Sequence, residues 1–223
     1  MEGESAHHLG RVLRAERGQL YELSDGQRVC LAQVADVKGE RIEFSIVEDL
    51  PTPQPILRTT LLLSIVKFDA FEWALEKATE LGVSTVVPLA AARSEKALLA
   101  AAPKRAERWR KILLESSQQS RRLRIPALAS PAKPESAFSS HSGDLRILLS
   151  ERPSAPSLKS VLDGKPSTAA ALAIGPEGGW TDPEFQMAAQ HQFQEASLGQ
   201  LILRTETAVT AALASLNYAL SGQ

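Results

Sequence analysis

The chain has few of the residues from which disulfides and metal centres are built. It contains one cysteine and four histidines in 223 residues. The single cysteine, Cys30, excludes an internal disulfide and any multi-cysteine metal site. Because it lies in an alternating run, we interpret it as a small buried strand residue rather than as a nucleophile. The histidines lack the spacing of zinc ligands, so no metal site is expected; they are His7, His8, His141 and His191.

Long hydrophobic runs are also missing. No stretch reaches the roughly 18 apolar residues that a membrane-spanning helix needs. The first five residues are acidic and polar, whereas a signal peptide begins basic and continues apolar. The 43% hydrophobic content is nevertheless enough for a substantial core. We therefore expect a soluble, cytoplasmic protein with one large domain or two modest ones.

The common phosphate-binding and hydrolase signatures are absent. Neither G-x-x-x-x-G-K-[ST] nor G-x-G-x-x-G occurs, which argues against kinases, NTPases and dinucleotide-binding enzymes. No G-x-S-x-G elbow is present, which removes the simplest hydrolase interpretation. The net charge of −1 gives no overall attraction for nucleic acid, so any basic surface must be local.

One local basic segment exists between residues 93 and 124. It holds ten lysines and arginines against three glutamates. Such an excess of one sign is typical of a phosphate-binding face, although a solvated helix face is an equally good interpretation.

The chain changes its pattern near residue 51. Short alternating segments at 19–23, 28–34 and 41–47, separated by Asp-Gly and Lys-Gly pairs, predict a small antiparallel β unit over residues 1–50. Three prolines mark residues 51–58 as a stiff linker. Strands and helices then alternate over residues 59–223, which predicts an α/β domain whose parallel sheet has helices on both faces.

The predicted elements of the second part are as follows. Strands are expected at residues 60–66, 83–89, 145–149, 169–174 and 195–198, and helices at 69–81, 103–120 and 207–220. Two segments rich in proline, serine and glycine, 131–143 and 152–167, are interpreted as connecting loops. The last helix is apolar on most sides, which favours burial against the sheet and contact with a subunit partner.

Two glycine-containing turns are the most informative features. Residues 175–179, the first turn, follow a buried strand and precede a helix start at Thr181, where Glu184 completes a capping box. Gly175, Gly178 and Gly179 let main-chain N–H groups approach a ligand without a Cβ in the way. Residues 197–204, the second turn, repeat the arrangement. Together the turns predict one shared pocket, while the alternative is that each glycine merely serves a tight βα connection.

A resemblance to a known family rests on five segments: Lys77–Val83, Gln118–Arg122, Ile174–Gly179, Leu198–Ala208 and His7–Arg14. These segments resemble the motifs of the RsmE family of bacterial 16S ribosomal-RNA methyltransferases. Along the chain they follow one another in the order of the family's motifs. The similarity extends over nearly the whole chain.

The resemblance implies a PUA-like β-barrel that binds RNA, followed by a SPOUT-type α/β domain with a carboxy-terminal trefoil knot. It also implies a homodimer that binds S-adenosylmethionine and methylates N3 of one uridine near the 3′ end of 16S RNA in the small ribosomal subunit. The family usually begins with an extra strand, so we expect an abbreviated or differently closed barrel here.

Carried onto this chain, the resemblance places residues 175–179 and 198–205 along the cofactor pocket, with the loop after Leu149 closing one side. The candidate catalytic and RNA-contact residues are inferred from their charge and their position in the chain. Arg204 and Glu206 are the candidate catalytic residues. Arg204, at the end of the second turn, would stabilise charge that develops on the uracil oxygens, or would alternatively pair with Glu206 or cap the knot. The candidate RNA contacts are Arg11, Arg14, Arg121 and Arg122. The candidate cofactor-binding residues are Leu149, Ile174, Gly175, Pro176, Glu177, Gly178, Gly179, Leu198, Gly199, Ile202, Leu203, Arg204 and Thr205.

Two alternatives keep parts of this interpretation. A SPOUT methyltransferase could act on another RNA, and a non-catalytic RNA-binding or ribosome-assembly protein could retain the pocket without turnover.

Overall fold

The computed structural model describes residues 1–39, 41–51, 57–141 and 144–220. The chain divides into two compact units, Met1–Gln54 and Pro55–Gln223. Residues 52–56, which form most of the predicted linker, lie outside the described residues.

The first unit contains a short helix, α1 (Glu4–His7), a π-helical segment (His8–Val12) and three strands. The strands are β1 (Leu20–Ser24), β2 (Val29–Lys38) and β3 (Arg41–Leu50), and they form an antiparallel sheet in the order β1-β2-β3. The predicted antiparallel unit is therefore confirmed. Its small core joins the helical segment to the sheet through Ala6, Ala15, Val34 and Ile42.

The turn between β1 and β2 shows why the sequence folds as a hairpin there. Asp25 Oδ1 accepts hydrogen bonds from the main-chain N–H groups of Gln27 and Arg28, both at 2.8 Å. These bonds, the one from Arg28 foremost, hold the pKa of Asp25 below its usual value. Gly26 has φ +86°, a conformation in which a Cβ is strained.

The second unit is built on a parallel sheet. Its strands run in the order β6-β5-β4-β8-β7-β9, and each neighbouring pair is parallel, as the sequence predicts. The bounds are β4 (Arg58–Ser64), β5 (Thr85–Leu89), β6 (Ala127–Leu128), β7 (Leu145–Leu149), β8 (Ala169–Ile174) and β9 (Gln194–Ala196).

Helices cover both faces of this sheet, because successive residues of a strand point to opposite sides. Leu61 and Leu63 belong to one core cluster and Leu62 to the other. The first cluster includes residues of α2 (Phe68–Glu80), α3 (Lys96–Gln119), α5 (Leu158–Leu162) and α7 (Thr205–Leu220). The second includes residues of α4 (Pro134–Ser140) and α6 (Asp182–Gln190). The prediction of helices on both faces is confirmed.

Two predicted loops are wrong, because each contains a helix. Segment 131–143 includes α4, whose first turn accepts Pro134, since a proline there loses no helical hydrogen bond. Segment 152–167 includes α5, where the Ser157 side chain accepts a hydrogen bond from the N–H of Ser160. Leu158, on α5, is buried against the sheet. In both cases burial of a few apolar residues outweighs a composition typical of loops.

Helix α3 also begins earlier than predicted, at Lys96 rather than Pro103. Pro103 lies inside the helix, where a proline costs about 3 kcal/mol relative to alanine. The preceding turns are rich in alanine, and Leu98 and Leu99 pack against the core, so burial offsets this cost. Among the described helices, none has both the length and the apolar character to cross a membrane.

Candidate functional site

A cleft opens where strands β7 and β8 end, an edge of a parallel sheet at which ligands commonly bind. We call it the main cleft. The ends of β7 and β8, both turns and the start of α7 contribute to it. It is lined by Leu149, Ser150, Glu151, residues 174–180, Leu198, Gly199, residues 201–203, Thr205 and Ala208.

The first turn requires glycine for steric reasons. Gly179 has φ +69°, and its N–H donates to Pro176 O at 2.8 Å. A Cβ at Gly179 would collide with the Glu151 carboxylate, and a Cβ at Gly175 would lie 3.1 Å from Trp180 Nε1. The main chain is therefore packed directly against neighbouring side chains.

Trp180 connects the first turn to strand β7. Its side chain is 4% exposed, and its Nε1–H donates to Leu149 O at 3.0 Å. Its ring also packs edge-on against Phe138 of α4, with 6.1 Å between centroids. The two walls of the main cleft are thus joined by one buried side chain.

The second turn is tied to the first at the start of α7. Thr205 Oγ1 donates to Gly175 O at 3.1 Å, and Thr205 itself is buried. Leu201 and Ile202 lie beside this anchor but are 82% and 83% exposed. The structure therefore brings the two turns to one cleft while leaving apolar side chains of the second turn uncovered.

Helix α6 begins where sequence reasoning places it, with Thr181 as its N-cap and Glu184 completing the capping box. Glu184 is buried, and its second oxygen, Oε1, accepts from the N–H of Ala92 at 2.8 Å. Next to it, Arg93 Nη1 donates to Gly178 O at 2.6 Å. The segment before α3 therefore holds the first turn and the start of α6 in place through these two hydrogen bonds.

A second contact holds the loop after β7. Arg152 pairs with Asp182 at 2.5 Å and lies over the Phe185 ring, 3.4 Å from its centroid. This pairing and the Arg93 contact were missed from the sequence, because their partners lie 30 and 85 positions apart and belong to no motif.

Twelve of the thirteen candidate cofactor residues line the main cleft. The exception is Arg204, which is exposed on the second turn and does not line the main cleft. Glu206 is half-buried and does not line the main cleft either. Ser150, Glu151 and Leu201 also line it, in agreement with the predictions for the loop after Leu149 and for the second turn, whereas Trp180 and Ala208 were missed. For Trp180 a signal existed, since it directly follows the glycine pair.

The candidate RNA contacts lie in different settings. Arg11 and Arg14 are exposed in the first unit, and Arg121 is exposed after α3. Arg122 is half-buried, and its Nη1 donates to Thr79 O, near the end of α2, at 2.8 Å. Burial lowers the pKa of the Arg122 guanidinium from its ordinary value. Arg122 therefore has a structural partner, and RNA contact at these residues remains a prediction.

Replacing Arg122 with glutamine should lower the free energy of unfolding by about 1–3 kcal/mol, because Thr79 O would lose a charged donor. Arg121→Gln should change it by less than about 0.5 kcal/mol, since that side chain is exposed. Urea denaturation of both variants checks this. Equal losses would contradict the structural role of Arg122.

Within the described ranges, no group of three or more histidine, cysteine, aspartate or glutamate side chains is arranged to hold a metal ion.

The fold and the main cleft fit one class of α/β enzymes, the RNA methyltransferases, and the comparison with protein families identifies this class. Residues 52–217 match the family model described as an RNA methyltransferase domain, which includes the parallel sheet, both turns and nearly all of α7.

The chain belongs to the family of ribosomal RNA small subunit methyltransferase E. It is 36% identical to that protein from Synechocystis, over 95% of this chain and 70% of the relative. It is 32% identical to the one from Aquifex aeolicus, over 96% and 91% of the two chains. The crystal structure of the Neisseria gonorrhoeae enzyme bound to S-adenosyl methionine superposes with a TM-score of 0.89 at 30% identity, covering 99% of this chain and 91% of that one.

Proposed function

We propose that this protein transfers a methyl group from S-adenosylmethionine to N3 of a specific uridine near the 3′ end of 16S ribosomal RNA. The observation that carries the proposal is the main cleft, in which both glycine turns meet at the end of a parallel sheet. Family membership supplies the reaction class, and the Neisseria gonorrhoeae relative has been seen bound to S-adenosyl methionine.

The lining of the main cleft fits this donor. Leu149, Ile174 and Leu198 provide apolar surface for an adenine ring, and the Glu151 and Glu177 carboxylates suit a cationic ligand. Because the glycines have no Cβ, a ligand could approach the main chain of the first turn closely. When bound, S-adenosylmethionine supplies a methyl group on a positively charged sulfur. The twelve lining residues named from the sequence would hold it.

Arg204 and Glu206 are proposed to act on the acceptor side. A uracil N3 becomes a good nucleophile only when it loses its proton, and the resulting charge spreads to the ring oxygens. Arg204 is exposed at the end of the second turn, directly before α7, where its cation can reach a substrate outside the main cleft. Glu206, in the first turn of α7, would hold that guanidinium in place.

Arg204→Ala should lower kcat about tenfold, a modest effect because a cation in contact with water is strongly screened. The affinity for S-adenosylmethionine should stay within about twofold, since Arg204 does not line the main cleft. Arg58→Ala, at an exposed position on β4, is the matched control. Wild-type kcat in Arg204→Ala would contradict the proposed role.

The function itself is tested in cells. Mass spectrometry of 16S RNA from a strain that lacks the gene should show an unmethylated uridine near the 3′ end, and the wild-type gene should restore the modification. If 16S RNA is unchanged but another RNA loses a methyl group, the SPOUT enzyme acts on that RNA. If no RNA changes and calorimetry detects no S-adenosylmethionine binding, the protein is a non-catalytic RNA-binding or assembly factor.

A trefoil knot in the second unit is part of the proposal. Its support is that residues 194–198 are hydrogen-bonded on two sides. Ser150 N–H donates to Ala196 O at 2.9 Å, and Leu158 N–H donates to Ser197 O at 2.8 Å. The carboxy-terminal segment thus runs between the two ends of the loop that follows β7, which is the arrangement needed for threading.

A homodimer is proposed from uncovered apolar side chains. Leu201 and Ile202 on the second turn are more than four-fifths exposed, and Tyr218 on α7 is 91% exposed. Surfaces of this kind commonly mark interfaces. We further propose that residues 1–50 form the PUA-like RNA-binding domain, that 51–58 link it to the methyltransferase domain of 59–223, and that the reaction takes place in the cytoplasm, where the ribosomal substrate is.

A further inference from the structure

A second cavity of about 320 Å³ lies beside the main cleft, where strands β4 and β5 end. Ile65, the residue after β4, donates its N–H to Leu89 O at the end of β5 at 2.9 Å. The charged lining residues are Lys67, Arg93, Glu95 and Glu177, and Ile65 and Leu98 are among the apolar ones.

Glu177 and Gly178 line both cavities, which therefore adjoin at this segment. Arg93, which lines the second cavity, stabilises this segment through the 2.6 Å hydrogen bond that its Nη1 donates to Gly178 O. Within the described part of the chain, Glu177 is the ionisable residue that lines both spaces. Ligands in the two cavities would therefore be neighbours at this segment.

The lining of the second cavity suits a nucleotide better than a bare anion. Lys67 is exposed and forms no ion pair with another described residue. The helices α2 and α3 begin directly after Lys67 and Glu95, and their dipoles add positive potential there. A phosphate fits these charges, whereas the carboxylates and the apolar side chains fit a flat ring that carries N–H donors.

Methyl transfer requires the acceptor atom to lie about 3–3.5 Å from the methyl carbon, so the acceptor must occupy space next to the donor. We infer that the second cavity holds the acceptor nucleotide of the RNA and that Glu177 takes the proton from its acceptor nitrogen. This inference rests on the proposed function.

The position of Glu177 matches the geometry of the proton. In uracil the N3–H bond lies in the ring plane and points along the direction from which the methyl group must arrive. A proton acceptor must therefore stand at the boundary between donor and acceptor. The N–H bond would break, an O–H bond would form on the Glu177 carboxylate, and the electron pair left on nitrogen would bond the methyl carbon. The bond from that carbon to the sulfonium sulfur would break at the same time, its electron pair would stay on sulfur, and neutral S-adenosylhomocysteine would leave. The carboxyl group then releases its proton to solvent.

Glu177→Gln should lower kcat about 100-fold at pH 7, the range of one general base. The loss should shrink as the pH rises from about 7 to 10, because the solvent then removes the N3 proton. Glu135→Gln, at an exposed position on α4 that lines neither cavity, is the control. A loss of the same factor at every pH would indicate a merely structural role and would overturn the assignment of Glu177.

Lys67→Gln tests the cavity without turnover. Binding of a 16S RNA fragment, measured by fluorescence anisotropy in the absence of methyl donor, should weaken about three- to tenfold, and its salt slope should fall by about one. Lys159→Gln, an exposed lysine on α5 outside both cavities, should behave as wild type. Equal affinity and slope in the Lys67 and Lys159 variants would overturn the placement of the nucleotide.

Measurements on the wild-type protein distinguish failure of this inference from failure of the proposed function. If it binds S-adenosylmethionine and methylates 16S RNA while the Glu177 and Lys67 variants match their controls, the inference alone fails. If the wild type does neither, the proposed function fails and the inference falls with it.

Discussion

Trp180→Ala is expected to lower the free energy of unfolding by about 3–5 kcal/mol, the usual cost of truncating a buried tryptophan. Trp180 is 4% exposed and packs against Gly175 and Phe138. Its removal also leaves Leu149 O without the donor that now lies 3.0 Å away. Urea denaturation followed by circular dichroism measures the loss.

Two comparisons isolate the cause of this loss. Trp180→Phe keeps most of the ring volume and should cost only about 1–2 kcal/mol, chiefly from the missing N–H donor. Trp73→Ala removes the same side chain from an α2 position that is 43% exposed, and it should cost less than about 1 kcal/mol. If Trp180→Ala were no more harmful than Trp73→Ala, the view that Trp180 joins the walls of the main cleft would be wrong.

Gly179→Ala is expected to weaken S-adenosylmethionine binding by about 10- to 150-fold, which corresponds to about 1.5–3 kcal/mol. The added Cβ would displace the Glu151 carboxylate, which lines the main cleft, and would disturb the first turn, which lines it as well. Isothermal titration calorimetry measures the change.

Gly164→Ala is the matched control for backbone strain. Gly164 has φ +65°, close to the φ of +69° at Gly179, but a Cβ there meets nothing within 4 Å. Both variants should lose about 1–2 kcal/mol of stability from left-handed strain, while only Gly179→Ala should lose affinity. Comparable affinities in the two variants would show that the first turn does not contact the donor.

Much of the second unit could be predicted from sequence because its signals are local. The apolar run before Lys67 predicts a strand buried on both faces, and β4 lies at the centre of the sheet. Gly82 marks the end of α2, where its φ is +89°. Helices α4 and α5 were missed because they are short and their stability comes from burial against strands distant in sequence.

The residues of the site also divide into those with a local sequence signal and those without one. Gly175, Gly178 and Gly179 could be named from the sequence, because they stand between a buried strand and a capping box and a second glycine turn follows them. The contact of Arg93 with Gly178 O could not, since no local pattern links residues 85 positions apart. Arg122 was named as an RNA contact, but in the structure its guanidinium donates a hydrogen bond to Thr79 O near the end of α2. A basic run in the sequence does not reveal which of its arginines makes such a bond.

A crystal structure of this protein with S-adenosylmethionine is the most direct test. We predict that the donor lies in the main cleft, with main-chain N–H groups of both the first and the second turn within hydrogen-bonding distance of it. A donor bound outside the main cleft, or one that touches neither turn, would contradict the assignment of this cleft as the methyl-donor site.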